Sequence, residues 1–166
     1  MTKYIVLLVA TVVGLVCADE VLQQLLNRVP AIHELSKPTL KFLKNQNMNN
    51  EAVEIEKQLT NLDNLVKNGN HDIFGTRAQL LGAERVLIAL MKNALIKRSE
   101  LLFPKADQAI HSNPNSANEI KQEKIQLEQL TSTLKVSINQ YDNNIKIEKE
   151  MIVIQNKLEH LITKIF

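Results

Sequence analysis

Between Val86 and Ile96, nine of eleven residues are apolar: Val86, Leu87, Ile88, Ala89, Leu90, Met91, Ala94, Leu95 and Ile96. The run is too short to span a bilayer and has the length and composition of a buried core helix. Two heptad-spaced rows lie side by side along it, Leu80, Leu87, Ala94, Leu101 and Leu81, Ile88, Leu95, Leu102. They are separated by about 100° of helix rotation, so one helix offers apolar surface to two neighbours. The pair Thr76 and Gln79 has the spacing of a capping box, and Pro104 limits continuation at the other end. The pattern predicts a central buried helix over about 76–103.

At the beginning of the chain, Lys3 precedes an apolar run from Tyr4 to Val16, and Val16-Cys17-Ala18 places small or moderate residues before Asp19. This is the pattern of a secretory signal peptide, residues 1–18, cleaved after Ala18. The apolar run falls short of the ~20 residues that a spanning helix needs, so no transmembrane segment is expected after cleavage. Residues 19–166 then form a single domain, large enough to bury a core of its own. The sole cysteine, Cys17, lies in the leader, so the exported chain is expected to be free of disulfides and held by packing. Without Lys3 there are 19 Lys and Arg (20 less one) against 18 Asp and Glu, a charge of +1. That balance favours neither nucleic acid nor an anionic membrane surface.

The remaining segments read as amphipathic helices. Asp19 can cap a helix over 20–28, after which Pro30 and Pro38 predict a kinked or segmented arm to residue 46. The run 45–50 is a connector. Ala52, Ile55, Leu59, Leu62 and Val66 alternate three and four apart on a helix from Glu51 to about Asn68, where Gly69 marks a stop. A short continuation to about Ile110 follows Pro104, and Ser112 to Asn115 forms a loop. Ser116 and Glu119 repeat the capping-box spacing. From Ala117 onward there is neither Gly nor Pro, but the apolar stripe moves from Leu127, Leu130, Leu134, Ile138, Tyr141 and Ile145 to Ile147, Met151, Ile154, Leu158, Leu161 and Ile165. A turn near Asp142 to Asn144 reconciles the stripes with one core; the alternative is a single long helix that changes partners. The fold expected is an all-α bundle of four to five mainly antiparallel helices, with heptad seams of the coiled-coil kind.

Catalytic signals are sparse. His33, His71, His111 and His160 have no second ligand at a metal-binding spacing, so no metal site or cofactor is expected. His71 beside Asp72 hints at a pH-sensitive turn. No Gly-rich nucleophile elbow or phosphate loop occurs. Glu148 and Glu150, flanked by Lys146 and Lys149, read as a solvated charged face. The sequence therefore predicts a secreted, extracellular, non-enzymatic binding protein, with no catalytic residue and no nucleic-acid partner. Its foremost expected role is contact with an extracellular protein; the alternative is carriage of a lipid or other small hydrophobic ligand between or on its helices. Ile88, Met91 and Leu95, on or beside the strip shared by Glu84 and Lys92, are the candidate ligand- or partner-binding residues.

Overall fold

The computed structural model describes the backbone of residues 2–68 and 73–166 and the side chains of 20–68 and 74–166. Five helices follow in order: α1 (Thr2–Asn45), α2 (Asn49–Asn68), α3 (Ile73–Ser112), α4 (Ala117–Val136) and α5 (Tyr141–Thr163). No strand occurs among the described residues. The chain is an all-α bundle. The leader expected over 1–18 falls on residues whose side chains lie outside those described, as do His71 and Asp72. Among the described residues, no helix is long and apolar enough to cross a membrane.

Consecutive helices run antiparallel, which makes α1, α3 and α5 parallel to one another. Residue pairs fix that register: Arg28 meets Glu84 and Phe42 meets Arg98, a step of 14 residues on each helix. Likewise, across α3 and α5, Glu84 and Asp142 share Arg28 at one level and Ser99 meets Gln155 at a later one. Helix α3 packs against all four others, whereas α1 and α5 approach each other only sparingly.

Two apolar clusters share α3. One joins Leu25, Leu43, Ile55, Leu62, Leu80, Leu87 and Met91 from α1, α2 and α3. The other joins Leu95, Leu102, Ile120, Leu127, Leu134, Met151 and Leu158 from α3, α4 and α5. Ile152 packs against both clusters. The first heptad row on α3 lies in the first cluster at Leu80, Leu87 and Ala94, with Leu101 exposed; the second row is divided, since Leu81 packs against the first cluster, Leu95 and Leu102 belong to the second, and buried Ile88 is part of neither. On α2 the expected seam is buried at Ala52, Ile55, Leu59 and Leu62, while Val66 is exposed.

Proline limits helices less than the sequence pattern implies. Pro30 and Pro38 lie inside α1, and Pro104 lies inside α3. The segmented arm expected over 20–46 is one helix, with no new start at Asp19, and the central helix reaches 40 residues instead of ending at 103. Pro30 and Pro104 are exposed, and so are Glu34 and Glu100, whose carbonyls lose their amide partners to Pro38 and Pro104. A carbonyl freed on the outer face can turn to water, which lowers the cost of proline there. Thr76 is buried inside α3, so the capping pair with Gln79 does not mark its start.

Local stop signals explain the turns. The amide of Met48 donates to the Leu43 carbonyl at 2.9 Å and that of Asn47 to Lys44 at 3.1 Å. With Asn47 in the left-handed region at φ 55° and Leu43 and Met48 in one apolar cluster, this is a Schellman stop between α1 and α2. Helix α4 starts where Ser116 predicts, but Ser116 itself has a helical backbone and its hydroxyl caps nothing. The break between α4 and α5 exists and spans 137–140, a few residues before the expected Asp142 to Asn144. Asn144 instead lies buried within α5.

Candidate binding furrow between the first and last helices

Ile88, Met91 and Leu95 are buried to within 2 % of full enclosure. Met91 belongs to the first apolar cluster and Leu95 to the second, so the seam between the clusters crosses α3 between them. None of the three lines the hollows described next.

Where α1 and α5 fail to close on each other, a furrow runs above this seam. It is pinned at two levels by arginines. At one, Arg28 of α1 reaches Asp142 of α5 at 2.6 Å and Glu84 of α3 at 3.6 Å, and its guanidinium lies 5.1 Å from the centre of the Tyr141 ring. At the other, buried Arg98 of α3 donates to both carboxylate oxygens of Glu159, at 3.2 and 2.7 Å, and to Asn156 at 2.7 Å, while standing 5.8 Å from the centre of the Phe42 ring. The Arg98–Glu159 pair is bidentate and partly desolvated, and such a pair holds geometry better than an exposed lysine pair does; Arg28 makes one contact to the exposed Asp142.

Between these clasps the walls are nearly free of polar contacts. Ala31, Leu35 and Pro38 of α1 face Ile152 and Val153 of α5, around a hollow of about 520 Å³ that Glu34 and Lys149 rim. Val153 is 65 % exposed, an unusual position for a valine between two helices. Pro38 also lines a second hollow, of about 360 Å³, whose other walls are Lys41, Phe42, Asn45, Gln46, Arg98, Asn156 and Glu159. The furrow is therefore mainly apolar over one stretch and mixed polar and apolar over the next. From Ala31 to Asn45 it covers 14 residue steps of α1, or ~21 Å.

The charges along it are unequal in kind. Glu34 is paired with Lys37 and Glu159 with Arg98, but Lys41 and Lys149 have no carboxylate within 4 Å among the described residues. The uncompensated charge facing the furrow is positive. A smaller hollow of about 230 Å³, lined by Leu43, Met48, Ile55 and Leu90 among others, sits at the Schellman turn.

Away from the furrow, the interior holds a polar stripe that the sequence reading missed. Asn144, Glu148 and Gln155 on α5 are all at least 99 % enclosed. Burial pushes the Glu148 carboxyl up to about 7, with the positive charge of Lys92 opposing the shift only in part. Lys92 gives its hydrogen bond to the Ser137 carbonyl at 2.6 Å, at the end of α4. Burial likewise raises Glu84, against the pull of Arg28. Gln155 donates to the Leu95 carbonyl at 2.8 Å and to the Ser99 hydroxyl at 2.9 Å, pinning α5 to α3. Glu148 is thus not on a solvated face; Glu150 is. His33 bonds Asp63 across α1 and α2 at 2.8 Å, and no cluster of three metal-ligating side chains occurs among the described residues.

No protein-family model matches this chain, no curated protein matches it, and no solved structure matches it.

Proposed function

We propose that this chain is a secreted, non-enzymatic binding protein that carries a small apolar molecule in the furrow between α1 and α5. The single observation behind this reading is the stretch from Ala31 to Pro38 against Ile152 and Val153, apolar on both walls, with Val153 65 % exposed between two arginine clasps. Exposed apolar surface gathered in a concavity is the usual mark of a ligand or partner site. The interior beside Ile88, Met91 and Leu95 is filled by side chains, which favours a guest laid on the helices over one enclosed among them.

An environment-sensitive neutral dye such as Nile red tests the reading. The purified chain should enhance its emission saturably, and Val153→Asp and Ala31→Trp should each weaken binding about tenfold or more by charging or filling the furrow. A control on the far side, Val136→Asp, should leave binding unchanged. Equal binding by all four proteins would remove the furrow as the carrier site.

A second reading, contact with an extracellular protein, has a different observation in its favour. Val66, Phe74, Val136 and Ile138 are all exposed and all belong to the end of the bundle where α2 gives way to α3 and α4 to α5. Apolar residues at one end suit a partner surface. On that reading, Phe74→Asp together with Ile138→Asp abolishes association while dye binding in the furrow persists.

A further inference from the structure

We infer that the guest is an amphiphile with one carboxylate head and an apolar tail, its head beside Lys41 and its tail lying along Pro38, Leu35 and Ala31 towards Arg28. The inference rests on the furrow being the binding site, and adds the chemistry of the guest and its direction.

Three features carry it. The furrow changes character along its length, from a mainly apolar stretch at Ala31, Leu35, Ile152 and Val153, rimmed by Glu34 and Lys149, to a mixed one where Lys41, Asn45, Gln46, Asn156 and the Arg98–Glu159 pair stand beside Pro38 and Phe42. A guest that matches it must change character as well, which a simple hydrocarbon or a uniformly polar molecule does not. Charge supplies the sign. In the mixed stretch, Arg98 is consumed by Glu159 and Asn156, whereas Lys41 has no carboxylate within 4 Å among the described residues. An ammonium there favours an anion over a neutral hydroxyl or a cation. The amides of Asn45 and Gln46 line the same hollow and offer further donors.

Length follows from the clasp at the far end. Arg28 with Asp142 and Tyr141 bridges α1 to α5 and closes the apolar stretch beyond Ala31. From Lys41 to Ala31 is ten residues of helix, ~15 Å, which an extended chain of about twelve carbons spans. The second unpaired cation, Lys149, stands on the opposite wall beside Val153, level with the tail and not with the head. It contributes little to recognising the carboxylate.

Displacement of bound Nile red by laurate and by dodecanol, equal in carbon number and different only in head group, tests this. Laurate should displace the dye at concentrations about tenfold lower, the worth of one charge-assisted hydrogen bond in a partly exposed site. In Lys41→Gln that preference should shrink to within about twofold, with dodecanol unaffected, while Lys149→Gln keeps most of it. Equal potency of the two compounds, or a carboxylate preference that survives Lys41→Gln, overturns the inference and leaves the furrow reading in place. Failure of both compounds to displace a dye that also ignores Val153→Asp removes this inference and the furrow reading together.

Discussion

Glu148 shows how one side chain can be misread from its neighbours. With Lys146, Lys149 and Glu150 around it, its local composition is that of a wet surface, yet it lies on the α5 seam with Asn144, Met151, Gln155, Leu158 and Ile162, spaced three and four apart. The spacing was present in the sequence, but three polar residues on one seam concealed it from a search for apolar stripes. Burial has a thermodynamic consequence of definite sign. The carboxyl ordinarily titrates near 4.5 and in the fold near 7, so the folded chain holds a proton that the unfolded chain has lost between those values. Its contribution to stability is complete below about pH 4.5, declines as pH rises towards about 7, and is flat beyond. Glu148→Gln should therefore match the parent near pH 4 and exceed it at pH 8 by up to about 3 kcal/mol. Denaturant melts at the two pH values check this; a variant less stable than its parent at pH 8 would mean that the carboxylate is held by a partner and not merely enclosed.

At the scale of elements, periodicity and local chemistry diverge. The apolar rows of α2 and α4 were legible because burial there is one-sided and mainly Leu or Ile, and those of α3 because two such rows run side by side. Helix ends were less so: Thr76 and Pro104 resemble a start and a stop, but α3 runs through both because tertiary contacts on all sides outweigh a weak local preference. The α4–α5 break was legible from the moving stripe, and its position was not, since no Gly or Pro marks 137–140. The same reasoning bears on Gly82, an exposed residue inside α3 where a methyl group would meet nothing within 4 Å. Gly82→Ala should stabilise the fold by about 1 kcal/mol, because it removes backbone freedom from the unfolded chain and strains nothing in the helix. Thermal melting would register this as a rise of a few degrees, and no change or a fall would show that α3 is not continuously helical there.

For the whole molecule, the decisive feature was the one least visible in the sequence. Helices α1 and α5 lie at opposite ends of the chain, and nothing in either states that they run parallel on the same side of α3. Arg28 and Arg98 set that arrangement, each tying three helices together, and neither stands out in the sequence because an arginine on an amphipathic helix is ordinarily solvated. The sequence did reveal an excess of apolar surface around Ile88, Met91 and Leu95, but that excess is used to join two core clusters. The opening lies one layer further out, at Leu35, Ile152 and Val153. Both helices pack on α3 and hardly on each other, unlike α1 with α2 or α4 with α5, so the arginine clasps carry most of the link between them.

Methyl-resolved NMR of the chain titrated with laurate reads directly whether an apolar guest lies in this outer furrow. Saturable shifts are expected at Leu35, Ile152 and Val153, with little change at Ile88, Met91 and Leu95. Shifts concentrated at those three core residues, or at Val136 and Ile138 at the end of the bundle, would contradict it.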